Sequence, residues 1–476
     1  MPSSRNRWWA LVVLCLGVLM IVLDTTIVNV ALPSIRSDLA FTETSLVWVV
    51  NAYMLTFGGF LLLGGRLGDL YGHRRLFLAG LAVFTLASLA CGVAGSREVL
   101  LAARAVQGLG GAVVSAVSLS LIMNIFPEPA ERARGMGVYG FVCAGGGSIG
   151  VLLGGLLTST LSWHWIFLVN LPIGLAVAAL SLSLIPGGHV RGTQRLDWAG
   201  AATVTLSLML AVYAIVNGNE AGWGSTSTVG LLAGAAVLMA AFIVLESRVA
   251  SPLMPLSLFR HRNLAVANVA GVLWAAAMFA WFFMSALYLQ LVLGDTPMQV
   301  GLAFLPGNLV MAAMSLGGSA RIVMRFGIRG PFAAGLLVAA CGLALFAQAP
   351  VGGTFLVHVL PGMLLLGTGA GLAFNPLLLA AMNDVGPEDS GLASGVVNTA
   401  FMMGGALGLA VLASLAAART TALRAAGAAL PVALDGGYQL AFACGAVFAA
   451  VAAGLGLWLL REAPPQRSAA AVASPH

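Results

Sequence analysis

Long runs of apolar residues, separated by short polar segments, follow one another along almost the whole chain. One α-helix needs about 20 consecutive apolar residues to cross a bilayer. The runs are continuous rather than alternating, which favours helices over the strands of a transmembrane β-barrel. The pattern predicts fourteen membrane-spanning helices, at residues 8–32, 46–66, 76–95, 100–126, 134–158, 164–185, 198–218, 227–246, 264–293, 298–320, 331–348, 353–380, 391–418 and 437–460.

Composition supports this interpretation and excludes other classes of protein. Of the 476 residues, 60% are hydrophobic and only 8% are charged, whereas a soluble domain carries about 25% charged residues. An ordinary soluble enzyme, a disordered chain and a nucleic-acid-binding protein are therefore excluded. Arg5 and Arg7 precede the first apolar run as in a signal peptide, but that run is too long, so we expect an uncleaved first span.

The basic residues indicate how the helices are oriented. The chain contains no lysine, so all 22 basic residues are arginine. With the amino terminus inside, the inner segments hold 17 arginines and the outer loops hold 4, while Arg104 lies within a span. Because positive charge marks cytoplasmic loops, we expect both termini to be cytoplasmic in a multi-pass protein of the bacterial cytoplasmic membrane.

An internal repeat divides the predicted spans into two similar halves. Segment 65–75 follows the second span, and segment 320–330 follows the tenth with arginine and glycine at matching positions. Parallel repeats of this kind build transporters whose halves move about a central site. We therefore predict a six-helix bundle at 1–186, two inserted helices at 187–250, and a second six-helix bundle with a short cytoplasmic tail at 251–476.

Several motifs carry a resemblance to a known family. Segment 65–75 resembles motif A of the major facilitator superfamily, and segment 23–33 resembles the first-span motif of its fourteen-span drug:proton antiporters. Segments 163–174 and 197–200 also resemble that family. Together with the span count, they identify the chain as similar to this family. The resemblance implies an all-α integral membrane protein with the major facilitator fold, two six-helix bundles plus two additional helices.

Motif A predicts a tight cytoplasmic turn that latches the two halves together. In it, glycine permits close backbone approach, and arginine anchors the turn at the phosphate surface. An acid here is expected to pair with an arginine or a helix amino terminus. The alternative is a plain charged loop. The motif residues are Gly65, Arg66, Asp69, Gly72, Arg74 and Arg75.

A proton-coupling site is predicted where charged residues fall inside spans. Asp24 is the one acid that the pattern places deep in a span, and Arg104 belongs to a segment that resembles motif B. Both lie in the outer half of their spans, at depths compatible with contact. Intramembrane charges are costly and mark functional sites by default, and the resemblance gives Arg104 a part in proton coupling. The alternative is a permanent structural pair. Gln107 and Asn29 complete this predicted site.

Two further groups of residues are candidates for gating and for substrate binding. The segment that resembles the antiporter motif C, with Val151 in place of its proline, contributes Gly146, Gly150, Gly154 and Gly155. These glycines allow close helix contact, and plain packing is the alternative to a gating role. Amide and aromatic side chains suit lipophilic cations, although interfacial packing explains them equally well. They are Asn51, Tyr53, Trp274, Trp281, Tyr288, Gln290, Asn375 and Asn398.

These features predict a transporter rather than an enzyme. We expect proton-coupled export of lipophilic, cationic or amphipathic small molecules, by a monomer driven by the proton-motive force. The chain shows no Walker A segment and no metal-ligand spacing, so we expect no cofactor, no metal and no nucleic-acid partner. Two alternatives are a narrow exporter of one metabolite, antibiotic or lipid on the same fold, and a membrane scaffold or sensor that transports nothing.

Overall fold

The computed structural model describes residues 4–126, 128–185, 197–249, 252–383, 385 and 390–461, and every regular element in them is helical. The all-α prediction is therefore confirmed for the described part of the chain. The helices are α1 (Ser4–Asp38), α2 (Val47–Tyr71), α3 (His73–Gly92), α4 (Arg97–Ile125), α5 (Pro129–Thr160), α6 (Trp165–Leu168), α7 (Asn170–Leu184), α8 (Trp198–Ala221), α9 (Thr226–Arg248), α10 (Arg262–Leu287), α11 (Pro297–Ala313), α12 (Ser319–Phe326), α13 (Arg329–Phe346), α14 (Leu360–Asn383), α15 (Ser390–Ala425) and α16 (Leu430–Leu459).

Twelve segments among the described residues are long and apolar enough to cross a membrane, which makes the chain a multi-pass membrane protein. The predicted spans 134–158 and 298–320 are not among the twelve. Residues 134–158 lie within α5. The segment 298–320 is interrupted because α11 is only 17 residues long and continues through a π-helical turn at Met314–Gly318 into α12.

Contacts between helix ends define two sides of the molecule. Arg7 near the start of α1 donates to Glu131 near the start of α5 at 2.8 Å. Arg262 at the start of α10 donates to the Leu459 carbonyl at the end of α16 at 2.9 Å. The end of α5 packs against the start of α11 at the other extreme. We call the side with the start of α1 and the end of α16 the terminal side, and the opposite one the distal side.

The helices pack in two groups with an inserted pair beside them. In the first group, α1 packs against α5 and α7, and α4 packs against α2 and α3. In the second, α10 packs against α15 and α16, and α13 packs against α14 and α16. The pair α8 and α9 contacts α2 and α15, and the two groups meet through α5 with α11 and α2 with α15. The predicted boundary at 186 and that at 250 both fall on residues outside the described ranges.

Glycines of the motif C segment bring α5 into close contact with two partners. A Cβ on Gly154 would stand 2.6 Å from the Ile27 carbonyl of α1, and one on Gly155 would stand 2.7 Å from the Pro297 carbonyl of α11. Neither distance is tolerated by a real side chain. Gly150 and Gly146 also face α1. The helix is continuous through Val151, and its glycines allow α5 to pack closely on α1 of its own group and on α11 of the second group.

Hydrogen bonds also join the two groups on the distal half of the molecule. Asn51, in the first turns of α2, donates to the Ala406 carbonyl of α15 at 2.9 Å. Gln290, in the π-helical turn that follows α10, donates to the Val30 carbonyl of α1 at 2.9 Å. These bonds and the contact between α5 and α11 hold the distal side together in this conformation.

Candidate functional site

Asp24 and Arg104 form a buried ion pair inside the first group of helices. Arg104 Nη1 of α4 lies 2.5 Å from Asp24 Oδ2 of α1. The two side chains are only 1% and 0% exposed. The structure therefore brings together two residues whose depths in the sequence are compatible with contact. Because a single buried charge costs several kcal/mol to desolvate, each member of this pair depends on the other.

Three amide and hydroxyl side chains complete the network around Asp24. Gln107 Nε2 donates to Asp24 Oδ1 at 2.7 Å and lies 2.7 Å from the Ser88 hydroxyl of α3. Asn170 Nδ2, at the start of α7, lies 3.2 Å from Asp24 Oδ1 and 3.3 Å from the same hydroxyl. Both carboxylate oxygens thus accept hydrogen bonds, and one of the donors is charged.

Arg104 is held on every side as well. Its Nε donates to the Val49 carbonyl at 2.9 Å, and its Nη1 also donates to Gln107 Oε1 at 2.7 Å. The guanidinium carbon lies 4.4 Å from the centre of the Tyr53 ring, a cation–π contact. Four helices, α1, α2, α3 and α4, and the start of α7 therefore converge on one buried charge pair.

Sequence reasoning missed two members of this network. Asn170 lies within segment 163–174, so a polar amide in an otherwise apolar span was the available signal. Ser88 carries no such signal, because a serine in an apolar helix most often bonds to its own backbone. Asn29 was predicted in the site, but its Nδ2 donates to the Thr25 carbonyl of its own helix at 3.3 Å.

The motif A segment contains a tight turn, but most of its residues are helical. Residues Gly65 to Tyr71 continue α2, and α3 begins at His73. Only Gly72 makes the turn, and its φ of 90° lies in the region that glycine alone adopts readily. The loop is short because one residue in this conformation reverses the chain.

The motif A side chains make contacts on the terminal side. Arg66 Nη2 donates to the Pro252 carbonyl at 2.5 Å, which joins the end of α2 to the segment before α10. Arg74 donates to the Leu182 carbonyl of α7, and Arg75 is exposed. The side chain of Asp69 lies outside the described residues, so the predicted latch through this acid stays a prediction.

The predicted cavity residues are distributed over three places. Tyr53 packs on Arg104, whereas Asn51 and Gln290 link the two groups. The remaining five lie in the second group of helices. Asn398 donates to its own helix, Asn375 to the Ser315 carbonyl and Tyr288 to the Pro350 carbonyl, while the indole nitrogens of Trp274 and Trp281 are buried without a hydrogen-bond partner.

Asp24 is the one acid that the sequence places deep in a span, and three acids near helix ends are buried as well. Asp435 is 6% exposed, because α16 begins at Leu430 rather than near residue 437. Asp197 and Glu246, at the terminal-side ends of α8 and α9, are 4% and 3% exposed. Among the described residues, no cluster of three or more His, Cys, Asp or Glu side chains has an arrangement that would hold a metal ion.

Comparison with protein families agrees with this architecture. The model of the Major Facilitator Superfamily matches residues 14–409. The chain belongs to that superfamily. Its members are transporters and not enzymes, so the prediction of a transporter is confirmed at the level of the family.

Individual relatives cover nearly the whole chain. The puromycin resistance protein of Streptomyces alboniger is 40% identical over 449 residues, covering 93% of this chain and 89% of its own. The cephamycin export protein of Amycolatopsis lactamdurans is 41% identical over 87% of this chain and 85% of its own. The multidrug resistance protein Stp of Mycobacterium tuberculosis is 39% identical over 87% and 77%, respectively.

Solved structures show the same fold at low identity. An auto-inhibited peptide transporter of the POT family covers 98% of this chain and 99% of its own, with a TM-score of 0.69 and 16% identity. The human organic anion transporter MFSD10 covers 96% and 100%, with a TM-score of 0.62 and 17% identity. The helix packing described above is therefore that of a major facilitator transporter.

Proposed function

We propose that this protein exports lipophilic, cationic or amphipathic compounds across the bacterial cytoplasmic membrane in exchange for protons. The terminal side is cytoplasmic, fourteen helices cross the membrane, and residues 1–186 and 251–476 are the two bundles around a monomeric transport path. The names of the relatives support drug export, since they include antibiotic resistance and export proteins. The arginine distribution supports the orientation.

The buried Asp24–Arg104 pair is the observation on which proton coupling rests. In this conformation the carboxylate accepts three donors, including a guanidinium, and a proton would compete with these donors for its oxygens. Binding a proton at Asp24 would neutralise the carboxylate and release Arg104 from its partner. The pair would then have two arrangements, and its exchange between them links proton uptake to movement of α4 against α1.

The second group of helices contains a buried aromatic cluster whose chemistry suits such substrates. Trp281 lies 4.4 Å from Phe282 and 6.0 Å from Phe304 between ring centres. The indole N–H of Trp281 is buried without a partner. Stacking and cation–π contact on such rings favour flat lipophilic cations, so this cluster is the part of the substrate path that we assign to the second group.

The test is transport of a fluorescent lipophilic cation in inside-out vesicles under an imposed pH gradient. Wild-type protein should take up the dye, and Asp24→Asn should abolish uptake at equal expression. Asp38→Asn is the matched control, since Asp38 is an exposed acid on the same helix and an asparagine oxygen can still accept from Trp163. Full uptake by Asp24→Asn would contradict the assignment of the proton site.

A second candidate function is export of one compound only. Several relatives are named for a single compound, such as puromycin, cephamycin or lincomycin. Growth of expressing cells against a panel of unrelated toxic compounds separates the two functions. Protection against many compounds supports a multidrug exporter, and protection against one class supports the narrow exporter.

A further inference from the structure

Two acidic side chains meet at the terminal-side ends of the inserted helices. Asp197 caps α8, because its Oδ1 accepts the Gly200 backbone N–H at 2.7 Å. Glu246 lies in the last turn of α9, and its Oε2 accepts the Met254 backbone N–H at 2.9 Å. Each carboxyl group therefore uses one oxygen to fix a neighbouring piece of backbone.

The second oxygen of each group faces the other carboxyl. A Cβ on Gly200 would stand 2.5 Å from Asp197 Oδ2 and 2.6 Å from Glu246 Oε1, so the two oxygens converge on one point beside this glycine. Both oxygens are shielded from solvent, and neither has a hydrogen-bond partner among the described residues. Two carboxylates in this arrangement repel each other, and burial makes both charges costly.

Among the described residues, the charged groups around the pair do not balance two negative charges at this point. Arg66 of α2 is near enough to attract Glu246, but its Nη2 donates to the Pro252 carbonyl. Arg248, on α9, is exposed. The helix α15, which packs against α8, carries Arg419 and Arg424 near its distal end, far from this site. One proton shared between the facing oxygens would give each a partner and remove one charge.

We infer that Asp197 and Glu246 form a proton-binding site that holds one shared proton and joins the inserted helices to α2 and to the segment before α10. Loss of the proton leaves two buried carboxylates in contact, which drives the ends of α8 and α9 apart. The Met254 backbone, which Glu246 holds, then moves with α9. The contact between the inserted helices and the segment before α10 therefore changes with pH on the terminal side. This inference stands independently of the proposed function, because the proton is not the one exchanged for substrate.

Infrared spectroscopy of the purified protein in lipid nanodiscs tests for the shared proton. A protonated carboxyl group gives its own carbonyl stretching band, which should be present in wild type at neutral pH. The band should disappear in Glu246→Gln and in Asp197→Asn. Glu98→Gln is the control, since Glu98 is an exposed acid on α4, and it should leave the band unchanged. Absence of the band in wild type at neutral pH, or its persistence in both variants, would overturn the inference.

Thermal unfolding supplies a readout that does not depend on the spectral assignment. From about pH 6 to about pH 9 the wild-type Tm should fall as the shared proton is lost, since the folded state then carries two facing charges. Glu246→Gln cannot lose a proton, so its Tm should change less over this range. A wild-type Tm that is raised at neutral pH by sodium or magnesium ions, without a carboxyl band, would instead indicate a bound cation and overturn the shared proton.

Discussion

The Asp24 network and the Asp197–Glu246 pair are both buried acidic sites, and they are satisfied by different means. Asp24 lies beside a guanidinium and accepts from Arg104, Gln107 and Asn170. Each carboxyl of the second site has one backbone donor and one oxygen that faces another acid. The first arrangement gives the acid a cation and two amide donors, whereas the second suits a proton shared between two acids.

The difference shows that buried acids in this protein are paired in more than one way. The pairing of a buried carboxyl group depends on whether a cation from a neighbouring helix reaches it. Arg104 reaches Asp24 because α4 packs closely on α2, where Gly108 and Gly111 of the motif B segment, residues 104–111, leave room. A Cβ on Gly111, for example, would stand 2.8 Å from the Tyr53 hydroxyl. No comparable cation lies between the facing oxygens of Asp197 and Glu246 in the described structure.

Removing the cation from the Asp24 network should cause the largest loss of stability. Arg104→Ala leaves Asp24 buried without its counter-charge, and breaking such a pair costs about 3–5 kcal/mol. Thermal unfolding followed by tryptophan fluorescence should show a large fall in Tm. Adding Asp24→Asn to this variant should restore part of the loss, because the unpaired charge is then gone.

The matched control is a surface pair on the same helix. Arg97 lies 3.8 Å from Glu98, with side chains 46% and 76% exposed. Arg97→Ala should therefore change stability by less than about 1 kcal/mol. An Arg104→Ala protein as stable as Arg97→Ala, or a double variant less stable than Arg104→Ala alone, would contradict the view that Asp24 depends on its cation.

Adding a methyl group beside the Asp197–Glu246 pair should cause an intermediate loss of stability. Gly200→Ala places a methyl group where both facing oxygens converge, and forced repacking of this kind costs about 1–3 kcal/mol. Gly230→Ala is the control, since Gly230 lies on α9 with open space around the added carbon. That change should leave the Tm equal or higher, because alanine favours helix. Equal shifts in the two variants would show that the carboxyl pair does not fill the space beside Gly200.

Parts of both sites could be predicted from the sequence. The sequence places three members of the first site at compatible depths, because helix rise converts residue number into depth. They are Asp24, Arg104 and Gln107. The participation of Ser88 could not, since it depends on how α3 and α7 pack against α4. The cap at Asp197 belongs to a recognised motif, but its pairing with Glu246 requires the antiparallel packing of α8 and α9.

The limits of the fold prediction have similar physical causes. Hydropathy alone predicts the span 227–246 close to the observed bounds of α9, because this helix is an isolated apolar run between polar ends. The start of α16 was misplaced because Asp435 and the two glycines after it lower the local hydropathy, while packing buries that turn. The break after α11 could not be foreseen, since a π-helical turn has no simple apolar pattern.

A third acid, Glu43, is partly buried and has one cation as a partner. Replacing it should change stability the least. It lies in the loop between α1 and α2, with Oε1 3.4 Å from Arg36 Nη2 and side chains 24% and 29% exposed, respectively. Burial raises the pKa of the Glu43 carboxyl, and the Arg36 guanidinium offsets part of that rise. Glu43 thus has a cation, as Asp24 does, but lacks the two amide donors, Gln107 and Asn170, that Asp24 also has.

The sign of the pH dependence follows from the raised pKa. The folded state holds the Glu43 proton to higher pH than the unfolded state, so this residue's contribution to stability is present at low pH and is lost as pH rises through the folded pKa. At neutral pH the buried charge of Glu43 lowers the free energy of unfolding slightly.

Glu43→Gln should therefore leave stability equal or raise it by less than about 1 kcal/mol, and should flatten the change of Tm with pH on the acid side. Glu128→Gln, at an exposed glutamate, should change neither. Marked destabilisation by Glu43→Gln at neutral pH would instead mean that one nearby guanidinium is enough to outweigh burial, and the contrast drawn between the two buried sites would then rest on Arg104 alone.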